Sequence, residues 1–360
     1  MRHVNLSALA ALCILAGCAA AAHLPAPDTR ALDALFAEYT GPVPGASVLV
    51  IRDGRVLYRR AYGLARLDPA VPTTPETDYR LASLTKQFTA TAIMLLERDG
   101  KLRFDQPVGD ILPELAPAAR PLTIRQLLTH TSGVWDYESL IPDSQTTQVS
   151  DRDILTLLGA KDSLYFSPGT KFQYSNSAYV LLGLVVERVS GMSFPQFLAT
   201  RVFAPLGMTH SLAYLRGGPE IPDRALGYTP DSGKFLPTDQ SVTSATLGDG
   251  GVYTSVDDLI RWDAALAHAT LLDRAHLAQA TTSATLTDGS ATGYGFGWYV
   301  DRYRGRLRHW HHGETSGFRN FIVRFPDDGL TVVILTNRST GDLNPVADRI
   351  TDLLLPEAPR

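Results

Sequence analysis

The sequence predicts a mixed α/β protein of two lobes, with one sheet assembled from both ends of the chain and a helical middle as the second lobe. Three observations carry this expectation. β-Rich runs stand near both termini, as Ser47–Arg52 and Arg55–Tyr62 and again as four runs between Tyr299 and Thr336. The stretch from Ser83 to Phe203 carries apolar residues at helical spacing. The segments outside the strands, after Asp28 and from Pro345 to Leu355, read as helices. A cleft between two lobes is where chemistry is expected.

The chain opens on an address. Arg2 and His3 precede an apolar run from Val4 to Gly17, too short to cross a bilayer of about 30 Å as a helix and of the length of a secretory signal. The run ends Leu15-Ala16-Gly17-Cys18, which resembles a bacterial lipobox, in which the chain is cut before the cysteine and the thiol is lipidated. An ordinary secretion signal with incidental cysteines is the alternative. Residues 1–17 are thus expected to leave, and residues 18–27 to tether the chain through lipidated Cys18. Ala19, rather than Asp, follows the cysteine, which by resemblance to Gram-negative lipoproteins implies the outer membrane, facing the periplasm. Cys13 and Cys18 are the two cysteines, so no disulfide is expected in the mature chain.

Asp28 or Thr29 can cap a helix that carries Leu32, Leu35, Phe36 and Tyr39 on one face. Asp53-Gly54 joins the first two strands as a two-residue hairpin. Pro69 to Thr77 is a proline-rich loop. Helices are expected over Ser83–Arg98, Ile124–Thr129, Asp153–Leu158, Asn176–Ser190 and Phe194–Phe203; Gly100 and Gly191 stop the first and fourth. After about residue 245 the pattern reverts to short β runs: Tyr299–Tyr303, Leu307–His311, Asn320–Arg324 and Thr331–Thr336. Loops such as Asp136–Ser150 and Arg216–Thr238 are expected to wall the cleft.

Composition narrows the function. The chain is 44% hydrophobic and 19% charged with a net charge of −4, which excludes disorder, collagen and coiled coil as whole-chain descriptions. No basic run exists to hold nucleic acid. Lysine is scarce, 5 residues against 28 arginines, so each lysine in a motif carries weight.

Ser83-Leu84-Thr85-Lys86 is the only Ser-x-x-Lys, Tyr174-Ser175-Asn176 the only Tyr-x-Asn, and His311-His312-Gly313 the only Lys/His-x-Gly. Ser83 stands at a helix entrance, where unpaired N–H groups favour an alkoxide or a tetrahedral adduct. Lys86, three residues on, shares its face and can take the serine proton once burial or neighbouring positive charge lowers its pKa. The plain alternative is a helix cap at Ser83 beside a solvated lysine. Tyr174 can accept and donate a proton near Ser83, with the Asn176 amide on the substrate; alternatively Ser175 or Asn176 merely caps a helix. Strand alternation puts His309, His311 and Gly313 on one face and Trp310 and His312 on the other. The missing Cβ of Gly313 is expected to admit substrate backbone.

With these motifs in this order, the chain resembles the serine β-lactamase and penicillin-binding protein family, and within it the class C β-lactamase-like hydrolases. Leu127-Leu128-Thr129-His130-Thr131-Ser132-Gly133, Ser167-Pro168-Gly169, Leu181-Leu182-Gly183, Gly250-Gly251 and Ser255-x-Asp257-Asp258-Leu259 extend the likeness over residues 30–356. The resemblance implies a two-lobe β-lactamase/transpeptidase-like fold, with an antiparallel sheet lobe (about 28–80 and 245–356) and an inserted helical lobe (about 81–244). It implies that Ser83 is acylated, Lys86 and Tyr174 move protons, and Asn176 positions the substrate. The backbone N–H groups of Ser83 and Glu314 would hold the oxyanion. His130 is expected to be structural.

The third motif departs from the usual Lys-Thr-Gly of class C β-lactamases. A histidine at His311 resembles D-alanyl-D-alanine carboxypeptidases, D-amino-acid peptidases and esterases of the family. His311 and Gly313 are thus assigned to substrate binding, with His311 partly charged near neutral pH. The expected function is hydrolysis of an ester, amide or β-lactam through an acyl-enzyme, with a small-molecule or peptide acyl substrate and no cofactor or metal. A lipase-type hydrolase lacks its Gly-x-Ser-x-Gly here. A zinc site at His309, His311 and His312 lacks a nearby acidic ligand. A non-catalytic penicillin-binding or sensor lipoprotein would be expected to have lost Ser83, Lys86 or Tyr174.

Overall fold

Asp53 and Gly54 both take positive φ, 50° and 73°, the tight turn that folds two twisted strands back on each other. They join β1 (Ala46–Arg52) to β2 (Arg55–Tyr62), as the Asp-Gly pair predicts. The computed structural model describes residues 29–355, so the signal, Cys18 and the tether lie outside the described residues. Four further strands complete the main sheet: β3 (Tyr299–Tyr303), β4 (Arg306–Thr315), β5 (Phe318–Phe325) and β6 (Leu330–Thr336). Their order is β3-β4-β5-β6-β1-β2, antiparallel at every pairing. β6 pairs with β1 from Ala46 against Thr336 to Arg52 against Leu330, so the two ends of the chain meet inside one sheet.

Alternation along the strands divides the core in two. Val48, Val50, Phe321, Val323, Val332 and Ile334 face outward, against Leu32 and Phe36 on one side and Leu343, Ala347 and Ile350 on the other. Those partners come from α1 (Thr29–Ala34) with the turn after it, and from the C-terminal helix Asn344–Leu354. Leu49, Ile51, Ile322, Val333 and Leu335 face inward and merge with the core of the helical lobe. That lobe contains α2 (Lys86–Arg98), α3 (Ile124–Leu128), α4 (Asp151–Gly159), α5 (Asn176–Ser190) and α6 (Phe194–Leu198).

Several elements differ from expectation. The first helix is one short turn-and-a-half followed by a 3₁₀ turn at Ala37–Tyr39, although Leu32, Phe36 and Tyr39 are buried as their spacing predicts. The run to Phe203 breaks into α6 and a wider π turn at Ala199–Phe203. His311 does not end its strand; β4 continues to Thr315. The four β runs expected from Tyr299 on form β3 to β6, but between residue 245 and Tyr299, where no element was expected, the chain makes one short strand, Val252–Thr254, and two helices: α8 (Val256–His268), numbered after the short α7 (Ala204–Leu206), and α9 (Arg274–Ala280). Ser255 caps α8 by accepting a hydrogen bond from the Asp258 N–H, and Leu259 and Trp262 bury its inner face.

Candidate active site

The turn that carries Ser83 is held by contacts from three directions. The Leu81 N–H donates to the Val252 carbonyl at 2.8 Å, and Asn320 Nδ2 donates to the Arg80 carbonyl at 2.8 Å. Gly313 on β4 packs against Leu81 so tightly that a Cβ would lie 2.1 Å from the Leu81 carbonyl oxygen. The glycine therefore admits the chain's own backbone, which corrects the expectation that it clears space for substrate. Ala82 then adopts φ of 51°, a left-handed conformation that costs a non-glycine residue roughly 1 kcal/mol. Ser83 sits in the 3₁₀ turn Ala82–Thr85 that leads into α2, one turn earlier than a regular helix start.

Lys86 is fully buried and makes three short contacts. Its Nζ lies 3.1 Å from Ser83 Oγ, 2.8 Å from Asn176 Oδ1 and 3.0 Å from the Asp249 carbonyl oxygen. An ammonium satisfies all three by donation. A neutral amine has two hydrogens for the two obligate acceptors, Asn176 and Asp249, which leaves its lone pair for the Ser83 hydroxyl. Burial lowers the Lys86 pKa to about 8, against the raising effect of Asp249, Asp136 and Glu138. Burial is thus the cause, and the neighbouring charges are negative rather than positive.

Tyr174 is brought to Ser83 by the loop before α5. His130, at φ of 56°, grips this loop from both sides: its carbonyl accepts from the Gln173 N–H at 3.0 Å and its Nδ1 accepts from the Ser175 N–H at 3.1 Å. The His130 and Tyr174 rings pack with centroids 4.3 Å apart. Burial holds both His130 and the Tyr174 phenol in their neutral forms. The Tyr174 hydroxyl adjoins Ser83 but lacks the geometry of a hydrogen bond and has no other partner. Ser175, not Asn176, caps α5, by accepting from the Ala178 N–H.

Asn176 is pinned at every polar atom of its amide. Oδ1 accepts from Lys86, Nδ2 donates to Glu138 Oε1 at 3.2 Å, and its backbone N–H donates to Asp136 Oδ2 at 2.8 Å. Its first role is therefore to orient Lys86. Asp136, Glu138 and Asp249 escaped the sequence reading. Tyr137 donates to Asp249 Oδ2 at 2.9 Å, while Asp249 Oδ1 is buried without a partner. Burial, and then the neighbouring carboxylates, raise Glu138 above its ordinary range.

A cavity of about 50 Å³ exposes Ser83 among Glu138, Asn176, Asp249, Glu314 and Arg80. Glu138 comes from the expected Asp136–Ser150 loop; the opposite wall comes from Thr243, Thr246 and Gly250 rather than from Arg216–Thr238. Arg80 is committed to the carbonyls of Gly250 and Ser244, and the Glu314 carboxylate leans toward Arg319 at 3.6 Å.

His311, two residues before Gly313 on β4, is completely buried and does not line this cavity. Its Nδ1–H donates to the His312 carbonyl at 2.6 Å, so in the neutral ring Nε2 accepts from the Tyr294 hydroxyl at 3.0 Å. Burial first and the nearby Lys86 second push its pKa well below the usual imidazole value. His311 is neutral, which corrects the expectation of a partly charged carboxylate-binding residue.

A family model described as beta-lactamase matches residues 32–355. The chain is 33% identical over 308 residues to penicillin-binding protein 4* of Bacillus subtilis, covering 81% of this chain and 68% of that protein. Among solved structures, a penicillin-binding protein from Bacillus halodurans superposes with a TM-score of 0.76 at 29% identity, over 88% of this chain and 97% of that one. A D-amino acid amidase from Ochrobactrum anthropi, complexed with L-phenylalanine amide, gives 0.75 at 25% identity, over 91% and 97%.

Proposed function

The chain belongs to the beta-lactamase family, and from that premise we propose that it is a serine hydrolase that forms an acyl-enzyme on Ser83. The observation that carries this reading is the Lys86 amine, buried, lowered to about 8 and fixed 3.1 Å from the Ser83 oxygen by two further acceptors. Lys86 takes the Ser83 proton as the oxygen attacks an acyl carbon. The tetrahedral oxyanion is met by the backbone N–H groups of Ser83 and Glu314, and the Tyr174 phenol delivers a proton to the leaving group. The Lys86 ammonium passes its proton to the resulting Tyr174 phenolate; neutral again, Lys86 takes a proton from water as the water attacks the acyl carbon and returns it to the departing Ser83 oxygen, which releases the acid.

The substrate is an ester, an amide of a small peptide or amino acid, or a β-lactam. The wall of the cavity favours acyl groups that carry a cation. Glu138 and Asp249 line it, and an ammonium on the acyl part would pair with Glu138, whose carboxyl burial first and the Asp136 and Asp249 carboxylates second hold above its ordinary range. A penicillin carboxylate meets those same acids, and neutral His311 offers it no charge. Comparing nitrocefin, D-Ala-D-Ala peptides, D-amino-acid amides and neutral short esters tests this; fastest turnover of nitrocefin would refute the cationic preference.

Lipidation of Cys18 and attachment to the periplasmic face of the outer membrane belong to the same proposal, supported by Leu15-Ala16-Gly17-Cys18. Radioactive palmitate should label the chain and fail to label Cys18→Ser.

A further inference from the structure

A second cavity, of about 240 Å³, opens along the Gln87, Thr91 and Met94 face of α2 and shares no lining residue with the Ser83 cavity. Its walls include Met94, Phe296 and Trp298. Two buried polar side chains line it without satisfying their hydrogen-bonding capacity. His309, 6% exposed, has a partner at neither ring nitrogen. Gln87, 3% exposed, accepts from Trp262 Nε1 at 3.1 Å through Oε1, but its Nε2 has no partner. An unmet buried polar group costs about 1–3 kcal/mol, so two in one cavity are an expensive arrangement unless something fills it.

The chemistry of the lining selects the occupant. Burial, and then the Arg324 charge, push His309 down to about 4, so its ring is neutral and offers one N–H. The Gln87 amide adds N–H donors. Arg324 borders the cavity with its Nε on Asp263 Oδ1 at 2.8 Å, and exposed Arg274 stands at the rim. The lining therefore combines N–H donors and positive charge with aromatic and thioether surface. We propose that this cavity is a binding site for a small monocarboxylate with a flat apolar body, of the arene carboxylate class. The carboxylate oxygens accept from Gln87 and His309, and the ring lies against Met94, Phe296 and Trp298. This binding stands whether or not the chain hydrolyses anything at Ser83.

Crystals of the full chain soaked with 4-bromobenzoate locate the ligand directly through the anomalous signal of bromine. The expected result is a peak in this cavity. Titration calorimetry should give saturable benzoate binding, no matching binding of benzylamine, and a loss of at least tenfold in affinity for both Gln87→Leu and His309→Phe. Should either core variant misfold, Arg274→Gln, at the exposed rim, is expected to weaken benzoate about threefold. Bromine only at Ser83 or nowhere, with ordered waters joining His309 to Gln87, overturns the proposal, as does equal binding of benzylamine.

Discussion

Gly313 of β4 lies against the carbonyl of Leu81, with room for a hydrogen where any other residue would place a carbon 2.1 Å from the oxygen. This contact joins the sheet to the turn that presents Ser83, two residues after Leu81. Gly313→Ala forces that turn to move. Overpacking of this kind costs about 1–3 kcal/mol in stability, and a displacement of the nucleophile by about 1 Å is expected to lower kcat/KM roughly 100-fold. A lowered melting temperature together with slow p-nitrophenyl ester turnover checks both; full activity would mean that the turn is not braced by β4.

On the proposed mechanism, the buried Lys86 sets the pH dependence. The amine works only when neutral, and its pKa stands at about 8, so kcat/KM should rise with pH through about 8 and level off above it. Asp249 favours the ammonium. Asp249→Asn should therefore shift the rising limb to lower pH. Initial rates from pH 6 to 10 give the midpoint, and a shift to higher pH would contradict the assignment of Lys86 as base.

His311, by contrast, should leave no titration in the profile between about pH 5.5 and 8, because its folded pKa lies well below that of a free imidazole. Rates on an anionic and a neutral ester should keep a constant ratio over this range. A falling ratio would show a histidinium holding the substrate.

Glu138 accepts from Asn176 and lines the cavity, so one substitution separates its charge from its hydrogen bond. Glu138→Gln can still accept from Asn176 but removes the negative charge. Turnover of a D-amino-acid ester with a free amine should fall about tenfold or more, the scale of a lost charge-assisted hydrogen bond, while its N-acetylated counterpart changes by less than about twofold. Equal losses on both would mean that Glu138 only positions Asn176.

The reach of the sequence is visible in particular residues. Ser83, Lys86, Tyr174 and Asn176 were legible because their chemistry is local: three- and two-residue spacings at helix entrances. The β1–β2 hairpin was legible because Asp-Gly has few other uses. The helix Val256–His268 was missed despite its signals, a Ser255 cap followed by Val256, Leu259 and Trp262 at helical spacing. The acidic wall was not legible. Asp136, Glu138 and Asp249 lie in loops whose approach to Lys86 depends on long-range folding. The charge state of His311 and the role of Gly313 likewise depend on what packs above them, Tyr294 and Leu81, from elsewhere in the chain.

Intact-mass spectrometry after exposure to a fluorophosphonate tests the central claim most directly. The account predicts one covalent adduct per chain, mapped to Ser83 by peptide fragmentation, slowed by Lys86→Ala and absent in Ser83→Ala. No adduct on the folded chain at pH 9, or undiminished labelling of Ser83→Ala, would contradict it.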